Sequence, residues 1–210
     1  MLLEVESSSR RLTKLSVPAF AKFVLVLVAF LGECKRFGVN SKIIQTKQGS
    51  VEGRIFQLPT NKRVEAYLGV PYAKADRFEA PRPAKKWQNV LNATEYGKPC
   101  PQPLNPQLKK FDSMSEDCLF MNIFVPTGNN ESTLPVMFYI HGGAFVFRSG
   151  MTDFSVLASE GNVIVVSFNY RLGALGFLYS VINGQEQISG NYGMLDQVEA
   201  LKWVHQNIKR

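Results

Sequence analysis

Residues 134–145 read Leu-Pro-Val-Met-Phe-Tyr-Ile-His-Gly-Gly-Ala-Phe, a short apolar run that stops at a histidine and two glycines. A segment this apolar belongs inside a sheet, and it breaks where Gly142, Gly143 and Ala144 present backbone N–H groups with almost no side chain in front of them. Such a break suits an oxyanion hole, because a carbonyl oxygen that gains charge during acyl transfer can approach the amides directly. That chemistry needs a nucleophile, and no Gly-x-Ser-x-Gly occurs in the 210 residues.

The rest of the chain supplies a setting for that strand. Residues 162–168, Asn-Val-Ile-Val-Val-Ser-Phe, are apolar almost throughout, the pattern of a strand buried on both faces of a parallel sheet. Residues 64–72, 118–125 and 136–140 read as further strands, the second stopped by Pro126. Residues 42–58 carry Gly49 and Gly53 and read as an N-terminal hairpin. The stretch 74–111, rich in Pro, Lys and Asn, predicts a long irregular segment with Trp87 as its packing anchor. At 194–208, Leu195, Val198, Leu201, Val204 and Ile208 recur every three or four residues and predict an amphipathic helix. Strands followed by such a helix imply an α/β architecture, a mixed sheet becoming parallel with helices on its faces.

Length and charge narrow the class. The chain has room for one domain of ordinary size with a substantial core. Its formal charge of +7 would suit nucleic acid, yet Lys and Arg are scattered and form no run or helical stripe, so no nucleic-acid partner is expected. Arg10, Arg11, Lys14 and Lys22 precede the unbroken apolar stretch 23–31, followed by Gly32-Glu33-Cys34. This is the order of a signal peptide, so residues 1–34 are read as a leader and 42–210 as the folded part. The stretch falls well short of the roughly 20 residues that cross a bilayer, so a membrane partner is expected only if the segment is an uncleaved anchor. With Cys34 beside the leader, Cys100 and Cys118 either pair in an oxidising compartment or stand as two separate buried thiols. Asn92-Ala-Thr94 and Asn130-Glu-Ser132 are glycosylation sequons, which favours a secreted or extracellular destination. No cofactor or metal is expected.

Seven motifs then fall in one order: Leu68-Gly-Val-Pro-Tyr-Ala73, Arg77-Phe78, Cys100-Pro-Gln102, Ser115-Glu-Asp-Cys-Leu119, His141-Gly-Gly-Ala-Phe145, Asn169-Tyr-Arg-Leu-Gly173 and Gly190-Asn-Tyr-Gly-Met-Leu-Asp-Gln197. On these the chain resembles the N-terminal portion of the type-B carboxylesterase and cholinesterase family. The resemblance implies an incomplete α/β-hydrolase fold, with a mixed, mostly parallel sheet and flanking helices, ending before the nucleophile elbow. It implies a serine hydrolase, in which a Ser attacks an ester carbonyl, a His moves the proton and an acid orients the His. Gly143 and Ala144 match the family's oxyanion donors and Gly142 the tight approach; Cys100 and Cys118 match its first disulfide; Arg77 would pair with Glu116, and Arg171 with Asp196.

The triad itself has no counterpart here. His205 belongs to the terminal helix with no Ser to serve, and Glu116 with Asp117 points to opposite faces of an extended segment, unlike a glycosidase pair. No Trp lies between Cys100 and Cys118, where cholinesterases hold a quaternary ammonium, so an uncharged small-molecule ester is the expected substrate of the full-length parent. The 210 residues alone are expected to be inactive. The rival expectations are a neuroligin-like, non-catalytic adhesion protein of the same fold and an inert truncated product.

Overall fold

A computed structural model of the chain describes residues 41–103, 113–128 and 133–208. The leader-like segment, Cys34 and Asn130 lie outside the described residues. Among the described residues no helix is long and apolar enough to cross a membrane.

The N-terminal segment divides in two. β1 (Ile44–Gln45) turns back on β2 (Ser50–Glu52), and after Gly53 the chain enters β3 (Arg54–Gln57), which joins a different sheet by pairing antiparallel with β4 (Arg63–Pro71). The irregular stretch holds only the short pieces β5 (Ala73–Lys74), β6 (Arg82–Pro83) and β7 (Leu91–Asn92), the last seated beside β2. Trp87 anchors it: its indole N–H donates to the Ser50 carbonyl at 2.8 Å. The central strands follow as β8 (Phe120–Pro126), β9 (Val136–Tyr139) and β10 (Ile164–Phe168), with α1 (Ser155–Gly161) crossing between the last two. α2 (Gly173–Phe177), the hairpin β11 (Ser180–Ile182) and β12 (Gln185–Ile188), and α3 (Tyr192–Asn207) complete the described chain.

The main sheet runs β3-β4-β8-β10-β9. It is mixed, but its weight in this part of the chain differs from the mostly parallel sheet implied by the resemblance. β3/β4, β4/β8 and β8/β10 are antiparallel, and only β9/β10 is parallel. The one parallel pair is the one joined by a helical crossover, the β9–α1–β10 unit. β10 is buried on both faces as its unbroken apolarity predicts. Val166 and Phe168 join Tyr67, Met121 and Trp203 on one side, while Val165 joins Phe56, Phe124 and Ala158 on the other. In β4 a bulge between Tyr67 and Val70 turns the alternation over, which Gly69 permits at φ +68°, where a Cβ would lie 2.6 Å from the Glu95 carbonyl oxygen.

α3 turns a different face to the sheet from the one its spacing suggests. Tyr192, Asp196, Gln197, Ala200, Trp203 and Val204 are buried, whereas Leu195, Val198 and Leu201 are 42%, 48% and 53% exposed. Small residues decide this orientation, since a Cβ at Gly193 would sit 2.5 Å from the Arg171 carbonyl oxygen. The helix packs there more closely than a leucine face would allow.

Candidate active site

β9 and β10 run parallel, so their carboxyl ends open on the same side of the sheet, where open α/β sheets place ligands. The chain leaving β9 reaches His141, and the chain leaving β10 reaches Asn169, Tyr170 and Arg171. These two segments build the site together.

His141 is 3% exposed and stacks on the Tyr170 ring at 4.3 Å between centroids and 17° between planes. The Tyr170 hydroxyl donates to the His141 carbonyl at 2.8 Å, and His141 Nδ1 lies 2.9 Å from the Gly142 carbonyl oxygen. Nδ1 therefore carries the proton, because a carbonyl can only accept. Burial pushes the imidazole's pKa down, so the ring is neutral; Nε2 is buried with no partner among the described residues. This histidine anchors a loop and is not placed as a base.

The loop that follows is held in an unusual backbone conformation. Gly143 has φ +124°, Ala144 +52°, Phe145 +59° and Arg148 +88°. For non-glycine residues such angles cost about 1–3 kcal/mol each and persist only where the surroundings enforce them. At Gly143 no side chain fits: a Cβ would lie 1.9 Å from the Phe147 carbonyl oxygen. The Gly143 carbonyl accepts from Val146 N–H at 2.9 Å and Phe147 N–H at 3.2 Å, which closes the turn. Among the described residues no acceptor meets the N–H of Gly143 or Ala144, and neither pairs in a strand. Gly142 and Ala144 are exposed and Gly143 half-buried.

Buried polar side chains fasten the far end of the loop, a role that sequence reading gave to none of them, although Asn169 stands in a quoted motif. Gly150 N–H donates to Asn169 Oδ1 at 2.9 Å, and the Gly150 carbonyl accepts from Asn122 Nδ2 at 3.0 Å and Ser167 Oγ at 2.8 Å. Asn169 Nδ2 reaches the carbonyls of Lys98 and Cys118. The only available signal was polarity within apolar strands: Asn122 and Ser167 interrupt β8 and β10. Midway, the Phe145 carbonyl accepts from Gly173 N–H at 2.7 Å, and the Phe145 ring lies 5.0 Å from that of Phe177.

The remaining residues singled out in the sequence lie around this centre. Cys100 and Cys118 are joined by a disulfide. Arg77 meets Glu116 in an exposed pair whose hydrogen bond holds the Glu116 carboxyl below its usual range. Arg171 and Asp196 form a second pair of a different kind, 5% and 0% exposed, with Nη2–Oδ1 at 2.8 Å and Nε–Oδ2 at 2.9 Å. Arg171 also donates to the Glu79 carbonyl at 2.7 Å, so the pair ties the irregular segment to α3. Arg77, Glu116 and Arg171 line one cleft, with Asp76 and Pro101 between them. Asn92 is exposed in β7, where Thr94 Oγ1 donates to its Oδ1 at 2.8 Å. His205 is exposed on α3 and apart from the loop.

Comparison with known proteins accords with this layout. The sequence model of the "Carboxylesterase family" matches residues 40–210. The chain is 45% identical over 180 residues to the para-nitrobenzyl esterase of Bacillus subtilis (strain 168), covering 81% of this chain and 35% of that protein. It is 36% identical over 240 residues to neuroligin-3 of Mus musculus, covering 91% of this chain and 29% of the relative. Among solved structures, a thermophilic PNB esterase superposes with a TM-score of 0.68 at 42% identity, covering 79% of this chain and 35% of its own. The chain thus spans about a third of the length of these relatives. With its motifs, its partial α/β-hydrolase sheet and a family match over most of its length, the chain belongs to the carboxylesterase family.

Proposed function

We propose that this chain contributes the oxyanion-stabilising loop of a serine carboxylesterase that cleaves uncharged small-molecule esters. The observation that carries this reading is the pair of amides at Gly143 and Ala144, without an acceptor among the described residues, in an exposed to half-buried turn that follows β9. As an ester carbonyl becomes tetrahedral its oxygen gains charge, and two preorganised N–H donors stabilise that state more than the ground state; one such donor is worth about 3–4 kcal/mol. Ala144 keeps its N–H, and its methyl is a small intrusion. The nucleophilic Ser, the acid and the general-base His have no counterpart in the 210 residues, so the chain by itself is proposed to turn over no ester. The disulfide supports folding in an oxidising, secretory compartment, and the loop is directed at a small ester instead of nucleic acid. The likeness to neuroligin-3 keeps a non-catalytic adhesion role of the same fold as the second reading.

The experiment exchanges residues 40–210 for the matching part of the B. subtilis para-nitrobenzyl esterase and measures aryl-ester hydrolysis. The hybrid is expected to be active, and Gly143→Pro, which removes the N–H and cannot adopt φ +124°, to lower kcat by about 100- to 1,000-fold. A folded hybrid without activity, or one indifferent to Gly143→Pro, overturns the hydrolase reading and favours the adhesion one. The 210 residues alone should match their own Gly143→Pro variant; clear excess turnover refutes the proposed inactivity.

A further inference from the structure

The motif Cys100-Pro-Gln102 is accounted for only at its cysteine, yet the Gln102 side chain meets the loop that carries the proposed oxyanion donors. Gln102 Oε1 accepts from the Arg148 N–H at 2.7 Å, and Gln102 Nε2 donates to the Arg148 carbonyl at 3.0 Å. The second Nε2 proton goes to the Cys100 carbonyl at 3.1 Å, so the amide is engaged on three sides and its orientation is fixed. Bonds to the N–H and the C=O of one residue straddle its Cα and so constrain both φ and ψ of that residue. Ala144, Phe145 and Arg148 all hold a positive φ without being glycine, but Arg148, at +88°, lies beyond the turn closed onto Gly143 that encloses the other two. Asn122, Ser167 and Asn169 grip only Gly150, two residues farther on.

We propose that Gln102 is the positioning residue of the oxyanion loop: by clamping Arg148 from both sides it holds residues 143–148 in the turn that leaves the Gly143 and Ala144 amides without an acceptor among the described residues. The Cys100–Cys118 disulfide fixes the base from which Gln102 reaches, and the Gln102 N–H adds a bond to Met114 Sδ at 3.3 Å. The catalytic side of this proposal rests on the hydrolase reading; the conformational side does not.

Two measurements separate them. In the oxidised 210-residue chain, carrying Val198→Lys and Leu201→Lys on the exposed face of α3 to favour the monomer, amide hydrogen exchange is followed by NMR at Val146 and Phe147, whose N–H groups close the turn onto Gly143, together with the amide shifts of Gly143 and Ala144. Gln102→Ala should speed exchange at Val146 and Phe147 by about tenfold or more and move the Gly143 and Ala144 signals, while β8 and β10 stay protected. Gln102→Glu keeps an acceptor for Arg148 N–H but sets a carboxylate oxygen against the Arg148 and Cys100 carbonyls, so it should speed the same exchange, and it serves if the alanine variant folds poorly. Unchanged exchange in Gln102→Ala, or wild-type protection in Gln102→Glu, overturns the proposal. In the hybrid esterase, Gln102→Ala should lower kcat by about tenfold with KM within about twofold, because a displaced oxyanion donor is missed in the transition state. An unchanged kcat counts against Gln102. A hybrid inactive with Gln102 intact sinks the hydrolase reading and leaves exchange to decide the clamp.

Discussion

The imidazole of His141 lies flat on Tyr170 with its proton on Nδ1, where the Gly142 carbonyl takes it, so at this position a titratable residue serves as a neutral aromatic hinge. Burial lowers its pKa below the value of about 6.5 that it has in the unfolded chain. Below that unfolded value the unfolded chain binds a proton that the folded chain refuses, so stability is fully present at neutral pH and is lost as pH falls from about 6.5 toward the depressed folded pKa. His141→Phe keeps a ring on Tyr170 and removes the titration. Urea denaturation between pH 7.5 and 5 should show the wild-type chain losing stability more steeply than the variant. Parallel pH curves would mean that His141 is protonated without penalty. The sequence marked His141 as part of a loop motif, but its neutrality follows from contact with Tyr170, 29 residues away, which no local pattern encodes.

At the level of elements, legibility followed burial symmetry. β10 was plain because residues buried on both faces leave no polar alternation, and β8 and β9 because their apolar runs have clear stops. The loop after β9 was legible as small residues behind a strand. The hold on it was not, because Gln102, Asn122 and Asn169 act through side-chain amides on backbone far away in sequence. α3 was legible as a helix and misleading in its face. Its leucines fit a 3.6-residue period, but Asp196 and the small residues Gly193 and Ala200 fix which side meets the sheet. The buried Arg171–Asp196 pair is the anchor of that choice, joining α3 to the chain leaving β10 and, through the Glu79 carbonyl, to the irregular segment. Asp196→Ala leaves Arg171 charged and buried without its partner, which should cost about 3–5 kcal/mol, whereas Arg77→Ala at the exposed pair should cost far less. Denaturant titration of both variants checks the contrast, and equal losses would show that burial does not distinguish the two pairs.

For the whole molecule the second face of α3 has the larger consequence. Met194, Val198 and Leu201 form a stripe 43–53% exposed on the side opposite Asp196 and Ala200, so this helix is apolar on both sides, the pattern of an element covered on both. Ile140, 47% exposed, continues from β9, which pairs only with β10 and ends the sheet among the described residues with the uncharged run Val136–Tyr139. An apolar strand edge and an apolar helix face together lack the charges and bulges that keep soluble sheets apart. The 210-residue chain should therefore self-associate at concentrations of about 10 μM, despite a net charge of +7 that opposes it, because short-range apolar contact outweighs a charge spread over the surface and screened within about 10 Å by salt. Sedimentation velocity is the measurement. The double substitution Val198→Lys and Leu201→Lys places two charges in the middle of the stripe without touching the sheet-facing side of α3, and should shift the population toward monomer. A wild-type chain that sediments as a monomer would refute the association, and a double variant that associates as strongly as wild type would locate the cohesive surface elsewhere.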